Sequence, residues 1–274
     1  MEFKGLKGEN KLKVTILNPE TLENLYKNHG EFACECYATP KKYAEKVGKS
    51  CENDGHMSGS RCEYIKFEIE ADRGTLEQMM RSEIGVRYNP EDKYYYMDLI
   101  EAVPRVSPDE IVKNMQSFRY VDKNDFTYVT PHSIENDEKA LALYQNCMSN
   151  IETTRKAIRQ ILIDEDGLDA HKAVEDANFV LPRATNTKLS IGFTPEALIR
   201  FMWKRLCTRA QDQIREVAIE MKKLVTEINP DFAKELVPHC QYLMWCPEGA
   251  KCCGAYPTRK ELKEIINERK NSNN

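Results

Sequence analysis

Residues 193–221 read FTPEALIRFMWKRLCTRAQDQIREVAIEM, and this stretch decides the fold that the sequence predicts. Thr194 is a residue type that caps helices, and Pro195 suits the first helical position because its missing N–H needs no partner there. Apolar residues then recur every three or four positions from Leu198 to Met221, the spacing of a helix with one buried face. The stretch therefore predicts one long amphipathic helix in a core.

Two arginines stand beside the apolar stripe of this helix. Arg205 and Arg209 are four positions apart, so a continuous helix would place them one turn apart on the same face. Each guanidinium presents a planar fork of donors, and two of them together suit a bound anion. The alternative is that both arginines belong to the solvated face of an ordinary core helix.

The composition is that of a globular protein that binds neither membranes nor nucleic acid nonspecifically. The chain has 274 residues, of which 41% are hydrophobic and 31% charged, and its net charge is −4. Nonspecific nucleic-acid binding needs an excess of Lys and Arg, which this charge does not give. No apolar run approaches the length of a membrane span, and the first residues lack the apolar core of a signal peptide. Ten cysteines without an export signal indicate reduced thiols, so we expect a cytoplasmic protein.

Strands and helices are both predicted along the chain. Residues 11–17 and 62–68 alternate polar and apolar residues as strands do. Thr75 is expected to cap a helix that carries Gln78 and Arg81 on one face. Further helices are expected at 107–119, 133–163 and 169–179, and from Arg259 onwards. No repeat and no long linker divides the chain, so the prediction is a single α/β (α+β) domain over residues 1–274.

Candidate binding residues fall into four pairs of polar side chains. Arginines with a serine hydroxyl suit a phosphate monoester, and a glutamine amide can pair with a nucleobase edge. Without further support, surface or capping roles are the simpler explanation of each pair. The pairs are His56 with Ser58, Gln78 with Arg81, Ser117 with Arg119, and Arg205 with Arg209.

Five motifs in succession resemble those of the flavin-dependent thymidylate synthase (ThyX) family, over roughly residues 30–254. The family's Gly-His-x-Ser loop is similar to residues 55–58, and its Arg-x4-Gln-x2-Arg helix is similar to Arg73, Gln78 and Arg81. Its Asn-x2-Ser-x-Arg-Tyr segment is similar to Asn114, Ser117, Arg119 and Tyr120, and its Ala-Arg-x-x-Leu-Pro segment is similar to residues 177–182. Its Arg-x4-Ala-Gln-x-x-Ile-Arg helix is similar to Arg205, Ala210, Gln211, Ile214 and Arg215.

This resemblance implies a central antiparallel or mixed sheet flanked by long helices, in a homotetramer with active sites between subunits. The family converts dUMP to dTMP, with methylenetetrahydrofolate as carbon donor, FAD as hydride carrier and NADPH as reductant. It uses no cysteine nucleophile. By position, the resemblance assigns dUMP to Gln78, Arg81, Ser117, Arg119 and Arg205, with Arg205 as the catalytic charge near the pyrimidine; it assigns FAD to His56, Ser58 and Arg209.

The chain departs from the family pattern mainly on the flavin side. The family's Arg-His-Arg signature reads Arg81-Ser82-Glu83 here, and an insertion is expected at residues 87–113. Glu83 takes the place of an arginine that helps to hold FAD, so its carboxylate would repel the cofactor's pyrophosphate. The arginine before Leu-Pro is Asn178 in this chain, with Arg183 as a possible substitute.

Three interpretations stay open on this sequence. The first is a divergent thymidylate synthase, in which Arg209 and the insertion rebuild the flavin site; tyrosines 94–96 would then stack on a ring or simply pack in a strand. The second is another C5 modification of a pyrimidine nucleotide, such as hydroxymethylation. The third is a nucleotide-binding protein that has lost flavin chemistry.

The tail at residues 239–274 joins a cysteine-rich segment to a charged helix. Its thiols and His239 are ligand types that zinc accepts, as are Cys34 and Cys36. The spacings do not match the usual paired knuckles, so we expect free thiols and no metal.

Overall fold

The structure is a computed structural model, which describes residues 12–81, 111–119, 121 and 127–272. Most of the expected insertion, Glu83 and the three tyrosines lie outside the described residues. Within these ranges no helix combines the length and the apolar character needed to cross a membrane.

One antiparallel sheet and many helices make the chain a mixed α/β protein, which confirms the predicted fold class. The strands are β1 (Lys13–Ile16), β2 (Ile65–Asp72), β3 (Ile111–Met115) and β4 (Asn186–Phe193), in the order β1-β2-β4-β3. The helices are α1 (Pro19–Glu23), α2 (Leu25–Cys36), α3 (Ala44–Asn53), α4 (Arg73–Met80), α5 (His132–Glu135), α6 (Glu138–Asp164), α7 (Ala170–Ala177), α8 (Pro195–Arg205), α9 (Asp212–Ile228), α10 (His239–Leu243) and α11 (Arg259–Ser272).

The backbone contacts divide the chain into two compact units. The first contains Glu68–Met80 and Lys113–Ser190, and the second contains Thr15–Phe67 and Ile191–Asn274. The prediction of a single domain therefore stays a prediction.

The first unit has its own small core beneath α6. Tyr128 and Met148 are buried there, with the Tyr128 ring edge-on to that of Tyr144 at 5.7 Å between centroids. The Tyr144 hydroxyl donates a hydrogen bond to the Val129 carbonyl at 2.8 Å, so the ring is held at both ends. This core supports the strand ends that carry the cavity described below.

The core of the second unit is built on α8 and α9. The Phe193 ring lies 5.1 Å from that of Phe201, and α9 turns Ile214, Val217 and Met221 fully inward. Burying side chains of this size stabilises a fold by about 1.5–3 kcal/mol each. The apolar spacing read in 193–221 is therefore that of a core face, as predicted.

The same stretch is nevertheless two helices, so the prediction of one continuous helix is wrong. The first helix stops at Arg205, and the next begins at Asp212. The Ala210 N–H turns back to the Cys207 carbonyl at 3.0 Å, which closes a turn in place of a helical hydrogen bond. The first cap is confirmed, since the Thr194 hydroxyl accepts from the Ala197 N–H.

Helices α2 and α3 of the second unit cross with their backbones in contact. A Cβ atom on Gly48 would lie 1.9 Å from the Tyr26 carbonyl oxygen, and one on Gly30 would lie 1.7 Å from that of Ala44. Real Cβ atoms do not approach so closely. Only glycine fits both positions, because each helix occupies the space of the other's side chain.

Candidate active site

A cavity of about 670 Å³ opens within the first unit, a volume that suits a small-molecule ligand. It lies between α4, β3, the residues that follow β3, and the end of α7. The residues that line it are Arg73, Met80, Lys113, Asn114, Met115, Gln116, Ser117, Phe118, Arg119, Glu175, Asn178, Phe179 and Leu181.

Three cationic side chains share this lining, and each is held in place. The Arg73 guanidinium lies 4.7 Å from the centroid of the Phe118 ring, and its Nε donates to Glu77 at 2.9 Å. The Lys113 ammonium donates to the Met80 carbonyl. The Arg119 Nε donates to Glu175 at 2.8 Å. Glu175 is the one carboxylate among the described lining residues, so the cavity favours an anionic ligand.

The segment after β3 presents its side chains in a defined turn. The Arg119 N–H donates to the Ser117 hydroxyl at 3.1 Å. Just before it, the Gln116 N–H donates to the Lys188 carbonyl at 2.9 Å, and the Thr187 hydroxyl donates to the Gln116 side chain at 3.3 Å. These bonds tie the end of β3 to β4, so the serine and the arginine are carried on a fixed backbone.

This part of the chain is a strand and a turn, and the prediction of a helix over 107–119 is wrong where the structure describes it. Residues Ile111–Met115 form β3 with alternating burial. A strand can direct neighbouring side chains into a cavity from an extended backbone. The pairing with β4, which local sequence does not reveal, decides this conformation.

Helix α4 is positioned by Asp72 rather than by Thr75, which was predicted to cap it. The Asp72 carboxylate accepts from the Thr75 N–H at 2.9 Å, so the acid satisfies a donor of the first turn. The Arg73 N–H donates to the Thr185 carbonyl at 2.9 Å, which fixes the start of the helix against the chain before β4. Arg73 is the first residue of α4 and lines the cavity, so these two hydrogen bonds fix the backbone that carries its side chain.

The structure brings together some of the predicted nucleotide residues. Ser117 and Arg119 line the same cavity. Gln78 is half-buried on α4 but is not among the described lining residues, and Arg81 is exposed just beyond the helix. The roles of these two residues stay predictions.

Arg73 and Lys113 are the lining cations that sequence reasoning left without a role. Arg73 belongs to the Arg-x4-Gln-x2-Arg motif. That motif begins directly after the buried strand β2, and this position is the signal from which a binding role for Arg73 could have been inferred.

The predicted flavin-side residues lie in the second unit. His56 is exposed, and its Nδ1 lies 3.1 Å from the Tyr37 hydroxyl. Ser58 belongs to the 3-10 turn Met57–Cys62. A Cβ on Gly59 would lie 2.6 Å from the ring of the buried His29, so the turn runs directly over that ring.

Helix α8 packs against this turn through a charged contact. The Arg61 guanidinium donates to the Glu196 carboxylate through Nη2 at 2.9 Å, and Arg200 pairs with the same carboxylate one helical turn on. Glu196 is buried, so these bonds are poorly screened by water. They join the start of α8 to the loop that carries His56 and Ser58.

The two arginines of the central stretch have different environments. Arg205 is the last residue of α8 and is half-buried, and burial lowers the pKa of its guanidinium. Arg209 is exposed in the link between α8 and α9. They are therefore not neighbours on one helical face, contrary to the expectation from a continuous helix.

The cysteine-rich tail packs near the end of α8. The His239 ring stacks on Trp203 at 4.7 Å between centroids and 11° between planes. Burial and the nearby Lys204 lower the pKa of His239 to about 4. Within the described ranges, no group of three or more His, Cys, Asp or Glu side chains is arranged to hold a metal ion.

Comparison with known proteins places the chain in a family. Residues 20–231 match the family model described as thymidylate synthase complementing protein. Three similar proteins are flavin-dependent thymidylate synthases. That of Nitratidesulfovibrio vulgaris is 34% identical over 78% of this chain and 89% of its own length. That of Clostridium tetani is 31% identical over 59% and 70%, and that of Geobacter sulfurreducens is 34% identical over 60% and 69%.

The match runs through both units and includes the cavity, the His56 loop and the central stretch. The resemblance read from the five motifs is thereby confirmed. The chain belongs to the thymidylate synthase complementing protein family, which it shares with the flavin-dependent thymidylate synthases.

Proposed function

We propose that this protein is a flavin-dependent thymidylate synthase, which converts dUMP to dTMP with methylenetetrahydrofolate, FAD and NADPH. The observation that carries the proposal is the cavity lined by Arg73, Lys113, Ser117 and Arg119. Family membership supplies the reaction, and the charge of this cavity suits its substrate.

The phosphate of dUMP fits the cationic side of the cavity. A guanidinium donates two parallel hydrogen bonds to a phosphate, and a serine hydroxyl adds a third donor. Arg119 is 63% exposed at its side chain, so it can exchange part of its contact with Glu175 for the ligand. Hydrogen bonds to charged groups stabilise by about 1.5–3 kcal/mol each.

The pyrimidine would be held by Gln78, Arg81 and Arg205. A glutamine amide offers both a donor and an acceptor to the edge of uracil. Arg205 is the proposed catalytic residue, because a fixed positive charge stabilises negative charge that develops on the ring during C5 attack. Its partial burial strengthens that interaction, since fewer water molecules screen the charge.

The residues of the second unit fit FAD by the chemistry of their donors. His56 and Arg209 are exposed, so an imidazole and a guanidinium group are available to a diphosphate and a flavin ring. Arg209, His56 and Ser58 would hold the cofactor. When bound, FAD supplies the hydride that reduces the transferred carbon to a methyl group.

The proposal has three further parts: the protein is a homotetramer with active sites between subunits, it is cytoplasmic, and NADPH is its reductant. They come from the resemblance to the family, and the reduced state expected of the cysteines agrees with the cytoplasmic location.

The decisive experiment combines a spectrum with a product assay. The purified protein is supplied with FAD, dUMP, methylenetetrahydrofolate and NADPH, and the nucleotide product is weighed by mass spectrometry. We expect a flavin absorption band that dUMP perturbs, and a product with the mass of dTMP. A hydroxymethylated product would redirect the proposal to another C5 modification. Tight dUMP binding with no flavin band would show a nucleotide-binding protein without redox chemistry.

A further inference from the structure

A fully buried arginine lies behind the phosphate side of the cavity. Arg155 of α6 has no exposed surface, and two of its nitrogens bind the carboxylate of Glu152 at 3.2 and 3.3 Å. Lys156 contacts the same carboxylate at 2.9 Å from the solvent side. A buried ion pair gives little net stability, because removing both charges from water costs about as much as their attraction returns. Net stability therefore does not explain why a charged pair lies at this position.

The third nitrogen of the guanidinium contacts the side-chain amide of Asn178, a residue that lines the cavity. Arg155 Nη1 donates to the Asn178 side-chain oxygen at 3.3 Å. The Asn178 side-chain nitrogen donates to the Phe118 carbonyl at 2.7 Å and to the Val121 carbonyl at 3.3 Å. The amide thus uses its acceptor on the cation and both of its donors on the backbone.

The guanidinium fixes which way this amide points. A cation can only donate, so the side-chain oxygen of Asn178 must face Arg155, and the nitrogen must face the two carbonyls. Asn178 is 5% exposed, so water does not compete for these bonds. The two carbonyls flank Arg119, which follows Ser117 in the same turn.

We infer that Arg155 and Asn178 are positioning residues, which fix the backbone at Phe118 and Val121 and thereby set the geometry in which Ser117 and Arg119 meet a phosphate. The inference rests on the proposed function for the identity of the ligand. Neither residue needs to touch the nucleotide phosphate to act in this way. By resemblance to the family pattern an arginine is expected at position 178, where this chain has the shorter Asn178 in contact with the buried Arg155.

The first test replaces Asn178 with Asp. Asn178→Asp keeps an oxygen for Arg155 but removes both donors to the Phe118 and Val121 carbonyls. We expect the dUMP dissociation constant, measured by calorimetry, to rise about tenfold or more. Because the new carboxylate also lies at the cavity and repels a phosphate directly, the affinity alone does not decide the positioning role, and the exchange measurement does. Hydrogen–deuterium exchange of the 117–121 peptide should accelerate, with or without nucleotide.

Asn229 offers a matched control. Its side chain is 8% exposed, donates to the Leu22 carbonyl at 2.9 Å and accepts from the Phe232 N–H at 3.0 Å. Asn229→Asp makes the same chemical change to a buried amide that holds backbone groups in the second unit. It should lower the melting temperature and leave both dUMP affinity and exchange at 117–121 as in the wild type.

A second variant keeps the inference testable if Asn178→Asp does not fold. Arg155→Met combined with Glu152→Met replaces the buried pair by apolar groups of similar length, which buried pairs often tolerate. The melting temperature should stay near that of the wild type, while dUMP affinity falls and exchange accelerates, because the cation that holds the Asn178 side-chain oxygen is then gone.

The outcomes separate the two proposals. If either variant folds and keeps wild-type dUMP affinity and wild-type exchange at 117–121, the positioning role is wrong. If the wild type itself does not bind dUMP, the proposed function fails, and the exchange data still decide whether Asn178 and Arg155 fix this segment.

Discussion

At the scale of single residues, Arg119 makes the sharpest prediction for nucleotide binding. Arg119→Ala should weaken dUMP binding by about 1.5–3 kcal/mol, the range for a hydrogen bond to a charged group. Lys172→Ala is the control, because Lys172 also pairs with Glu175, at 3.8 Å, but does not line the cavity. Calorimetry on both variants gives the comparison. Equal losses would mean that general charge, and not a phosphate contact, sets the affinity.

A buried carboxyl in the second unit makes the stability of the protein depend on pH. Both Glu52 oxygens are buried without a hydrogen-bond partner among the described residues, and burial, with a contribution from Glu235, raises the pKa of Glu52 to about 7. The folded state therefore holds a proton that the unfolded state, with its pKa near 4.5, has released. Tyr26 also faces this acid, and burial raises its pKa further above its usual value.

The sign follows from the raised pKa. Below about pH 4.5 both states are protonated, so the stabilising effect of the neutral acid is complete; it is lost as the pH rises through 7. Glu52→Gln mimics the neutral form. We expect it to exceed the wild type in free energy of unfolding at pH 8 by on the order of 2–3 kcal/mol, and to match it near pH 5. Urea titrations at both values measure this, with Glu45→Gln on the exposed face of α3 as the control. A pH-independent difference would mean that Glu52 is ionised in the folded state.

Local sequence was sufficient to predict that Ser117 and Arg119 lie close together, since two residues on one turn stay close in almost any fold. It could not assign roles to Arg155 and Asn178. Their function depends on a contact across 23 positions and on complete burial, and neither leaves a periodic signal in the chain.

At the scale of elements, the crossing of α2 and α3 is the least tolerant contact described. Gly48→Ala places a methyl group on the Tyr26 carbonyl and must push the helices apart, so we expect a loss of about 3 kcal/mol or more in the free energy of unfolding. Lys46→Ala, on the exposed side of α3, should change it by less than about 0.5 kcal/mol. Thermal unfolding of the two variants makes the comparison. A Gly48→Ala protein as stable as the wild type would contradict the close approach of the two backbones.

The helices were more predictable than the strands. Caps and apolar periodicity located α6, α7 and α11, because helical hydrogen bonds close within the element itself. Strand β3 was read as a helix, and β4 was not identified, since a strand is stabilised by its neighbours in the sheet. The break after Arg205 was missed for a related reason: the apolar spacing continues across it.

At the scale of the whole molecule, the resemblance to the family predicts that two defective chains can repair each other. If an active site takes Arg119 from one subunit and Arg205 from another, mixed oligomers of Arg119→Ala and Arg205→Ala will contain some sites with both arginines intact. Random mixing makes about a quarter of the sites intact in a symmetric oligomer. The variants are unfolded together, refolded and assayed for dTMP. No recovery above the separate variants would mean that both arginines come from one chain.

The stack of His239 on Trp203 gives the protein an optical reporter of its own. An indole emits strongly beside a neutral imidazole and is quenched by a protonated one. The low pKa of His239 keeps the ring neutral at physiological pH, so the emission of Trp203 should fall only near pH 4. Trp203 lies two positions before Arg205 on α8. With Trp245 replaced by Phe, its fluorescence therefore reports, without any added label, whether the tail stays docked against the helix that carries the proposed catalytic charge.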